Sequence, residues 1–292
     1  MSPFPTRDSR AVAPLAPIHV AAVQLNATPD KAANIARAGE LVALAARTGA
    51  RLVVLPEKWT GFGSPEILRA CAETLADGES VAAMRGWARE HAVHLVGGSI
   101  TELGEGGRLT NTTVVVDPGG EVTAVYRKIH LFDVEVGGHV YRESDLEDGG
   151  DQIVTVDVDG WSVGLSICYD LRFPELFRIL ALRGAQIMVV PAAFTATTGR
   201  DHWELLLRAR AVENQCFVVA AGDWGEHPGD RWTYGHSMVV DPWGCVLEQV
   251  PEGDGVAVAR CDPVRLAEVR SALPALANRR PEHYRWPEPV RA

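Results

Sequence analysis

Cys168 closes the apolar run Trp-Ser-Val-Gly-Leu-Ser-Ile-Cys and is followed at once by Tyr-Asp-Leu-Arg-Phe-Pro-Glu. The chain must turn sharply there from strand to helix. A side chain on such a turn is held rigid and exposed, and the amides that open the helix point toward it. Those amides can lower a thiol pKa and bind an oxyanion, so a cysteine here could act as a nucleophile. Glu57 lies just past the apolar run Arg-Leu-Val-Val-Leu-Pro, where a carboxylate could serve as a general base. Lys128 ends the stretch Val-Thr-Ala-Val-Tyr-Arg-Lys and could hold a developing negative charge. Each also has a plain structural reading: a buried thiol, a helix-start acid, an edge-strand lysine. Glu143 lies in a polar stretch and by itself reads as solvated.

The elements that must position these residues follow from hydrophobic periodicity. Residues 18–25 and 51–57 read as buried strands, with a helix over 30–49 between them that places Ile35, Leu41, Val42 and Ala45 on one face. Helical stretches near 64–76 and 79–92 lead to a strand at 94–100. Residues 109–128 read as two strands around a Pro-Gly-Gly turn, and the polar, Gly-rich residues 133–151 as a long loop. Further strands are expected at 161–168, 186–194, 216–222, 234–248 and 255–262. Helices are expected at 173–185, at 201–215 and from Pro263. Alternating strands and helices, with runs of consecutive strands, point to an α/β domain with both parallel and antiparallel pairs. In open α/β sheets ligands bind beyond the carboxyl ends of strands, which is where Glu57, Lys128, Cys168 and Phe194 fall.

Composition narrows the classes. The 292 residues carry 38 acidic against 28 basic side chains, a net charge of −10, which argues against a nucleic-acid binder or a membrane-surface protein. The pI near 5.4 agrees. Five cysteines at 71, 168, 216, 245 and 261 are odd in number and irregular in spacing, so they form no disulfide framework, and no CxxC pair suggests zinc. A reducing, cytoplasmic compartment is the expectation. Residues 1–17 read as a loose tail without a secretory signal, 18–285 as one domain, and 286–292 as a second tail. Asn26 and Asn111 head glycosylation triplets, taken as chance without export. No GxGxxG, P-loop, HExxH or GxSxG motif is present; Gly235-His236-Ser237 breaks off before the final glycine.

Taken together, the blocks around the four residues resemble the nitrilase superfamily of carbon–nitrogen hydrolases. They are LVVLPEKW around Glu57, YRKIHLFDVEV around Lys128, RES around Glu143 and GLSICYDLRFPEL around Cys168. The resemblance continues through 188–222 and 234–244, in the family order, over roughly 18–285. It implies an α/β fold, a four-layer α-β-β-α sandwich, and frequent pairing of two subunits into a homodimer or higher oligomer. It implies a triad of Glu57, Lys128 and Cys168, with Glu143 as a further glutamate and Glu135 as its competitor. In that reading Cys168 attacks an amide carbon and forms a thioester, and Glu57 moves the protons. Lys128 and the Tyr169 backbone N–H hold the oxyanion. No metal or organic cofactor is implied.

Cys-Tyr-Asp-x-Arg-Phe-Pro-Glu is amidase-like, whereas true nitrilases typically carry Trp-Glu after the nucleophile. The segments at 202–222 and 234–244 most resemble the deaminated glutathione amidases, while Gly-Gly-Ser-Ile-Thr-Glu leans toward the omega-amidases. Arg200-Asp201 departs from the small pair common in relatives. The implied substrates are small ω-amides bearing carboxylates, so a cation near Cys168 is expected. Arg172 is the candidate, with Phe194 and Thr195 as pocket wall. Two other readings stand beside this one: an N-carbamoyl amino-acid or polyamine hydrolase, and an idle family member that binds a partner.

Overall fold

The computed structural model describes residues 15–286. The tail expected at 1–17 lies outside the described residues up to residue 14, as does the C-terminal tail beyond 286. In chain order the elements are β1 (Ile18–Gln24), α1 (Lys31–Arg47), β2 (Leu52–Val54), α2 (Pro65–Cys71), α3 (Glu79–His91) and β3 (His94–Val96). Then come β4 (Ile100–Leu103), β5 (Leu109–Val116), β6 (Val122–Arg127), β7 (Asp133–Val136), β8 (His139–Arg142), β9 (Thr155–Val158) and β10 (Trp161–Leu165). They are followed by α4 (Pro174–Leu182), β11 (Ile187–Ala192), α5 (Ala196–Asn214), β12 (Phe217–Gly222), β13 (Trp224–His227) and β14 (Arg231–Tyr234). The last are β15 (Met238–Val240), β16 (Val246–Gln249), β17 (Gly255–Cys261) and α6 (Pro263–Ala272).

Two sheets stack face to face. One runs β17-β1-β2-β3-β5-β4 with β6 on β5; the other runs β16-β15-β12-β11-β10-β9. Pairs β1–β2, β2–β3, β10–β11 and β11–β12 are parallel, and the outer pairs are antiparallel. The two-residue period of a strand explains the layering. Val20, Ala22, Leu52 and Val54 point into the apolar cluster shared with the second sheet. Their neighbours Ala21, Val23, Val53 and Leu55 point the other way, into a cluster with Ala38, Leu41 and Val42 of α1 and Met84 and Ala88 of α3. On the far side Leu176, Phe177 and Leu180 of α4, and Trp203 and Leu207 of α5, cover the second sheet. The order is helices, sheet, sheet, helices, as the resemblance implies. Strands buried on both faces read as continuous apolar runs, which is how 18–25, 51–57 and 186–194 stand out in the sequence.

Three expectations need correction, the first being the single strand at 94–100, which is divided into β3 and β4 by residues 97–99. Residues 133–151 are not one long loop: β7 and β8 form a hairpin closed by Gly137 and Gly138, both at positive φ. Alternate side chains of this hairpin are exposed, so it carries no apolar run to read. The single strand expected at 234–248 is divided. β14 ends at Tyr234, and β15 and β16 pair antiparallel around Asp241-Pro242-Trp243-Gly244. The hairpin β13–β14 and the short edge strand β9 carry weak apolar patterns and were not expected at all.

Candidate active site

Glu57, Lys128, Cys168 and Ala193 each follow the carboxyl end of a strand, two in each sheet: β2 and β6, then β10 and β11. The sandwich therefore brings four distant stretches to one place. Glu57 is fixed first through its backbone. Leu55 N–H donates to Val96 O at 3.0 Å, and Ser99 N–H donates to Pro56 O at 3.0 Å. Gly98 allows this close approach. It sits at φ +57°, and a Cβ there would fall 1.9 Å from Pro56 O. Lys58 is also left-handed, at φ +48°, with its N–H on Ser99 Oγ at 3.0 Å.

The Glu57 carboxylate is 3% exposed and fully engaged. Oε1 accepts from Asn111 Nδ2 at 2.8 Å and from Lys128 Nζ at 3.0 Å, and Oε2 accepts from Ala193 N–H at 2.8 Å. Asn111 is thus a buried anchor of the site and not a glycan acceptor. Its carbonyl also receives Lys128 N–H at 2.9 Å, so one residue of β5 aligns acid and lysine together. Sequence reasoning passed over it because its triplet matched an unrelated motif.

Cys168 occupies a left-handed conformation, φ +45°, at the head of a short 3-10 turn over Cys168–Arg172. A non-glycine residue there costs about 1–3 kcal/mol of strain, which neighbouring bonds must hold. Asp170, fully buried, supplies them. Its carboxylate accepts from Ile167 N–H at 2.8 Å, from the Tyr126 hydroxyl at 2.6 Å and from His130 N–H at 3.2 Å. This ties the cysteine turn to the strand that delivers Lys128. The Tyr169 amide is in the first turn, where helical amides lack an intrahelical acceptor.

The electrostatics divide the roles. Burial pushes the Cys168 thiol well above its ordinary pKa, Glu57 pushes it further, and Lys128 opposes them. The helix-start amides do not leave it a resting thiolate; it needs a base. For Lys128, burial acts to lower the pKa, but the carboxylates of Glu143 and Glu57 outweigh it and hold the ammonium protonated.

Glu143 opens a short 3-10 turn after β8. Its Oε2 accepts from Lys128 Nζ at 2.8 Å and from Phe132 N–H at 2.8 Å. Glu135 lies exposed on β7. Two further buried residues, unnoticed in the sequence, join Glu143. Lys58 Nζ is 3.1 Å from Glu143 Oε1 and 2.8 Å from Glu147 Oε1. Removing one member of a buried ion pair costs about 3–5 kcal/mol, because the other is left uncompensated.

A cavity of about 380 Å³ opens over this group, within the range of small-molecule pockets. Glu57, Lys58, Lys128, Glu143 and Ala193 form its floor. Cys168, 7% exposed, is not itself a lining residue, but Glu57, Lys128 and Ala193, which act on its thiol, are. Of the expected wall residues, Thr195 lines the cavity and Phe194 does not, and Arg172, the expected cation, does not line it either. Arg172 lies over the Phe194 ring at 5.1 Å, with Nη1 3.3 Å from His202 Nδ1. Three arginines do line the cavity: Arg69 on α2, Arg142 ending β8 and Arg231 opening β14.

The family model described as carbon-nitrogen hydrolase matches residues 19–271. The chain belongs to the carbon–nitrogen hydrolase family. A deaminated glutathione amidase from Synechocystis sp. (strain PCC 6803 / GT-S) is 42% identical over 271 residues, spanning 90% of this chain and 98% of that one. An omega-amidase from Mus musculus is 41% identical over 266 residues, spanning 91% and 96%. Among solved structures, Saccharomyces cerevisiae Nit3, of the nitrilase superfamily, superposes with a TM-score of 0.83 at 33% identity, covering 92% of this chain and 97% of that one. An amidase from Nesterenkonia sp. AN1, carrying Glu-to-Gln and Cys-to-Ala substitutions and in complex with acrylamide, has a TM-score of 0.73 at 27% identity, covering 94% and 98%. This hydrolase acts on amides and has the nitrilase-superfamily fold. Among the described residues no helix is long and apolar enough to cross a membrane.

Proposed function

We propose that this hydrolase cleaves the terminal amide of a small carboxylate-bearing substrate to carboxylate and ammonia, through a thioester on Cys168. The substrate class is that of deaminated glutathione or 2-oxoglutaramate. One observation carries the reading: Glu57 and Lys128, fixed 3.0 Å apart on the floor of an arginine-rimmed cavity, both act on the buried Cys168 thiol. The names of the two amidase relatives support the substrate class.

The steps follow from the residue types. Glu57 takes the thiol proton as sulfur bonds to the amide carbon. The carbonyl oxygen gains the negative charge, which the Lys128 ammonium and the Tyr169 N–H stabilise. The carbon–nitrogen bond then breaks, and the proton on Glu57 passes to the leaving nitrogen, which departs as ammonia. Water, deprotonated by Glu57, attacks the thioester and returns the thiol. Glu143 orients Lys128 and positions substrate and water. The lysines of the floor are committed to glutamates. Among the described residues, the rim residues Arg231 and Arg142 donate instead to the carbonyls of Gly63 and Tyr141. We assign them to the substrate carboxylate, with Thr195 as wall. Arg172 and Phe194 back that wall.

Residues 18–285 are assigned to one domain, and the protein to the cytoplasm as a homodimer or higher homo-oligomer. Free cysteines support the compartment, and exposed Ile179, Leu182, Tyr284 and Trp286 support the pairing. The test is a coupled ammonia assay on deaminated glutathione, 2-oxoglutaramate, N-carbamoyl-β-alanine and a simple nitrile. Ammonia from either of the first two is expected. Ammonia from the carbamoyl compound alone would replace the reading with a carbamoylase, and ammonia from none would overturn it.

A further inference from the structure

We infer that Lys58 and Glu147 are positioning residues that lock Glu143 against Lys128, and thereby fix the ammonium that the proposed mechanism needs. The inference rests on that mechanism but on a separate set of contacts. Five charged groups form an unbroken alternating chain: Glu147, Lys58, Glu143, Lys128, Glu57. The successive gaps are 2.8, 3.1, 2.8 and 3.0 Å.

The geometry of Glu143 explains why the outer two links are needed. Its turn follows a hairpin whose outward side chains are exposed, a weak platform for a site residue. With Lys128 and Phe132 N–H both on Oε2, the carboxylate could still pivot about that oxygen. Lys58 occupies Oε1 and stops the rotation. Lys58 reaches there from a different element, because its left-handed backbone lies in the loop after β2. It therefore couples the Glu57 loop to the Glu143 turn. Glu147, whose side chain is 1% exposed, supplies the counter-charge that lets a second ammonium stand beside Lys128. Its backbone is tied to the same turn, with N–H on Glu143 O at 2.8 Å. The nearby charged groups on the same stretch are Asp133, which binds Ser144 N–H, Arg142, the preceding residue, and Asp145, two residues on in the turn. Among the described residues none of the three bonds to its carboxylate. Charge–charge contacts of this kind are worth most where water is excluded, and small displacements of a catalytic group are costly.

The experiment compares wild type, Lys58→Arg and the double variant Lys58→Met with Glu147→Leu. The double variant removes both charges together, so no buried charge is stranded. Circular dichroism confirms its fold. Ammonia release should show kcat lower by roughly 10- to 100-fold with KM little changed. The acid limb of the rate profile should move to higher pH, because Lys58 touches the Glu143 carboxylate at 3.1 Å and helps hold it below its ordinary value, whereas the repelling Glu147 carboxylate is linked to it only through Lys58. Lys58→Arg should recover part of the rate. A folded double variant with wild-type kcat and an unmoved acid limb would overturn the inference. A Cys168→Ala control that still turns over, or a silent wild type, would instead contradict the proposed function. Carboxyl-carbon NMR of glutamate-labelled protein then decides the inference without substrate. The Glu143 signal should titrate at higher pH in the double variant, and an unchanged titration would refute it.

Discussion

The floor and the rim of the cavity are built differently. The floor residues Glu57 and Lys128, and Cys168 beneath them, follow strands of the two main sheets. Every oxygen of Glu57 is engaged, and the cysteine turn is held by Asp170. The rim is made of α2, the hairpin β7–β8 and the hairpin β13–β14, with Arg69 and Arg142 exposed and Arg231 half-buried. The hairpins are separate two-stranded pieces outside the main sheets. A rigid floor suits a charge distribution that must be set before reaction. Rim loops can differ without disturbing the core, which suits them to choosing the acyl group. The contrast implies that floor substitutions lower kcat, whereas rim substitutions raise KM.

The largest effect is expected on the floor. Glu57→Gln should lower kcat by roughly 10²–10⁴-fold, the range for a lost general base. Removing the anion should also let the Cys168 thiol ionise at lower pH, since Glu57 helps hold its pKa up. Iodoacetamide alkylation against pH, in a background with the exposed Cys245 replaced by Ser, reads this directly. A variant more ionised yet less active would separate base catalysis from resting thiolate content. A smaller effect is expected at the rim. Arg231→Met should raise KM by roughly 10-fold with kcat held, the loss of one charge-assisted hydrogen bond of about 1.5 kcal/mol. An uncharged short-chain amide should not sense that change. A fall in kcat with KM unmoved would erase the distinction between floor and rim.

The last effect is read in stability rather than in turnover. Glu143 has a folded-state pKa below its ordinary value: burial opposes ionisation, but Lys128 and Lys58 outweigh it. Its contribution is therefore present above the ordinary glutamate pKa and is lost as pH falls through the folded one. Melting temperatures recorded from pH 6 down to 3 should fall less steeply in Glu143→Gln than in wild type. An identical acid slope would remove Glu143 from the group of ionised floor residues.

The same contrast explains what could be read in the sequence. Strands buried on both faces announce themselves as apolar runs, so Glu57 and Cys168, which follow β2 and β10, could be singled out; Lys128 ends the half-exposed β6 and stood out only as a charge at a strand end. Glu143 was reached through the resemblance, since a lone acid after a polar hairpin has no local signature. The hairpins themselves were missed because their alternation is polar and short. Asn111, Asp170, Lys58 and Glu147 escaped for another reason. Each acts through a partner far away in sequence, and nothing local distinguishes a buried asparagine or lysine from a solvated one. Lys58 adjoins Glu57, but only the fold places its ammonium beside Glu143.

The central claim is that the sulfur of Cys168 becomes acylated. Rapid acid quenching during turnover of 2-oxoglutaramate, followed by peptide mass spectrometry, tests it most directly. The account predicts an acyl adduct confined to the peptide carrying Cys168, and no ammonia release by Cys168→Ala. Full turnover by Cys168→Ala, with no adduct on the wild-type peptide, would contradict it.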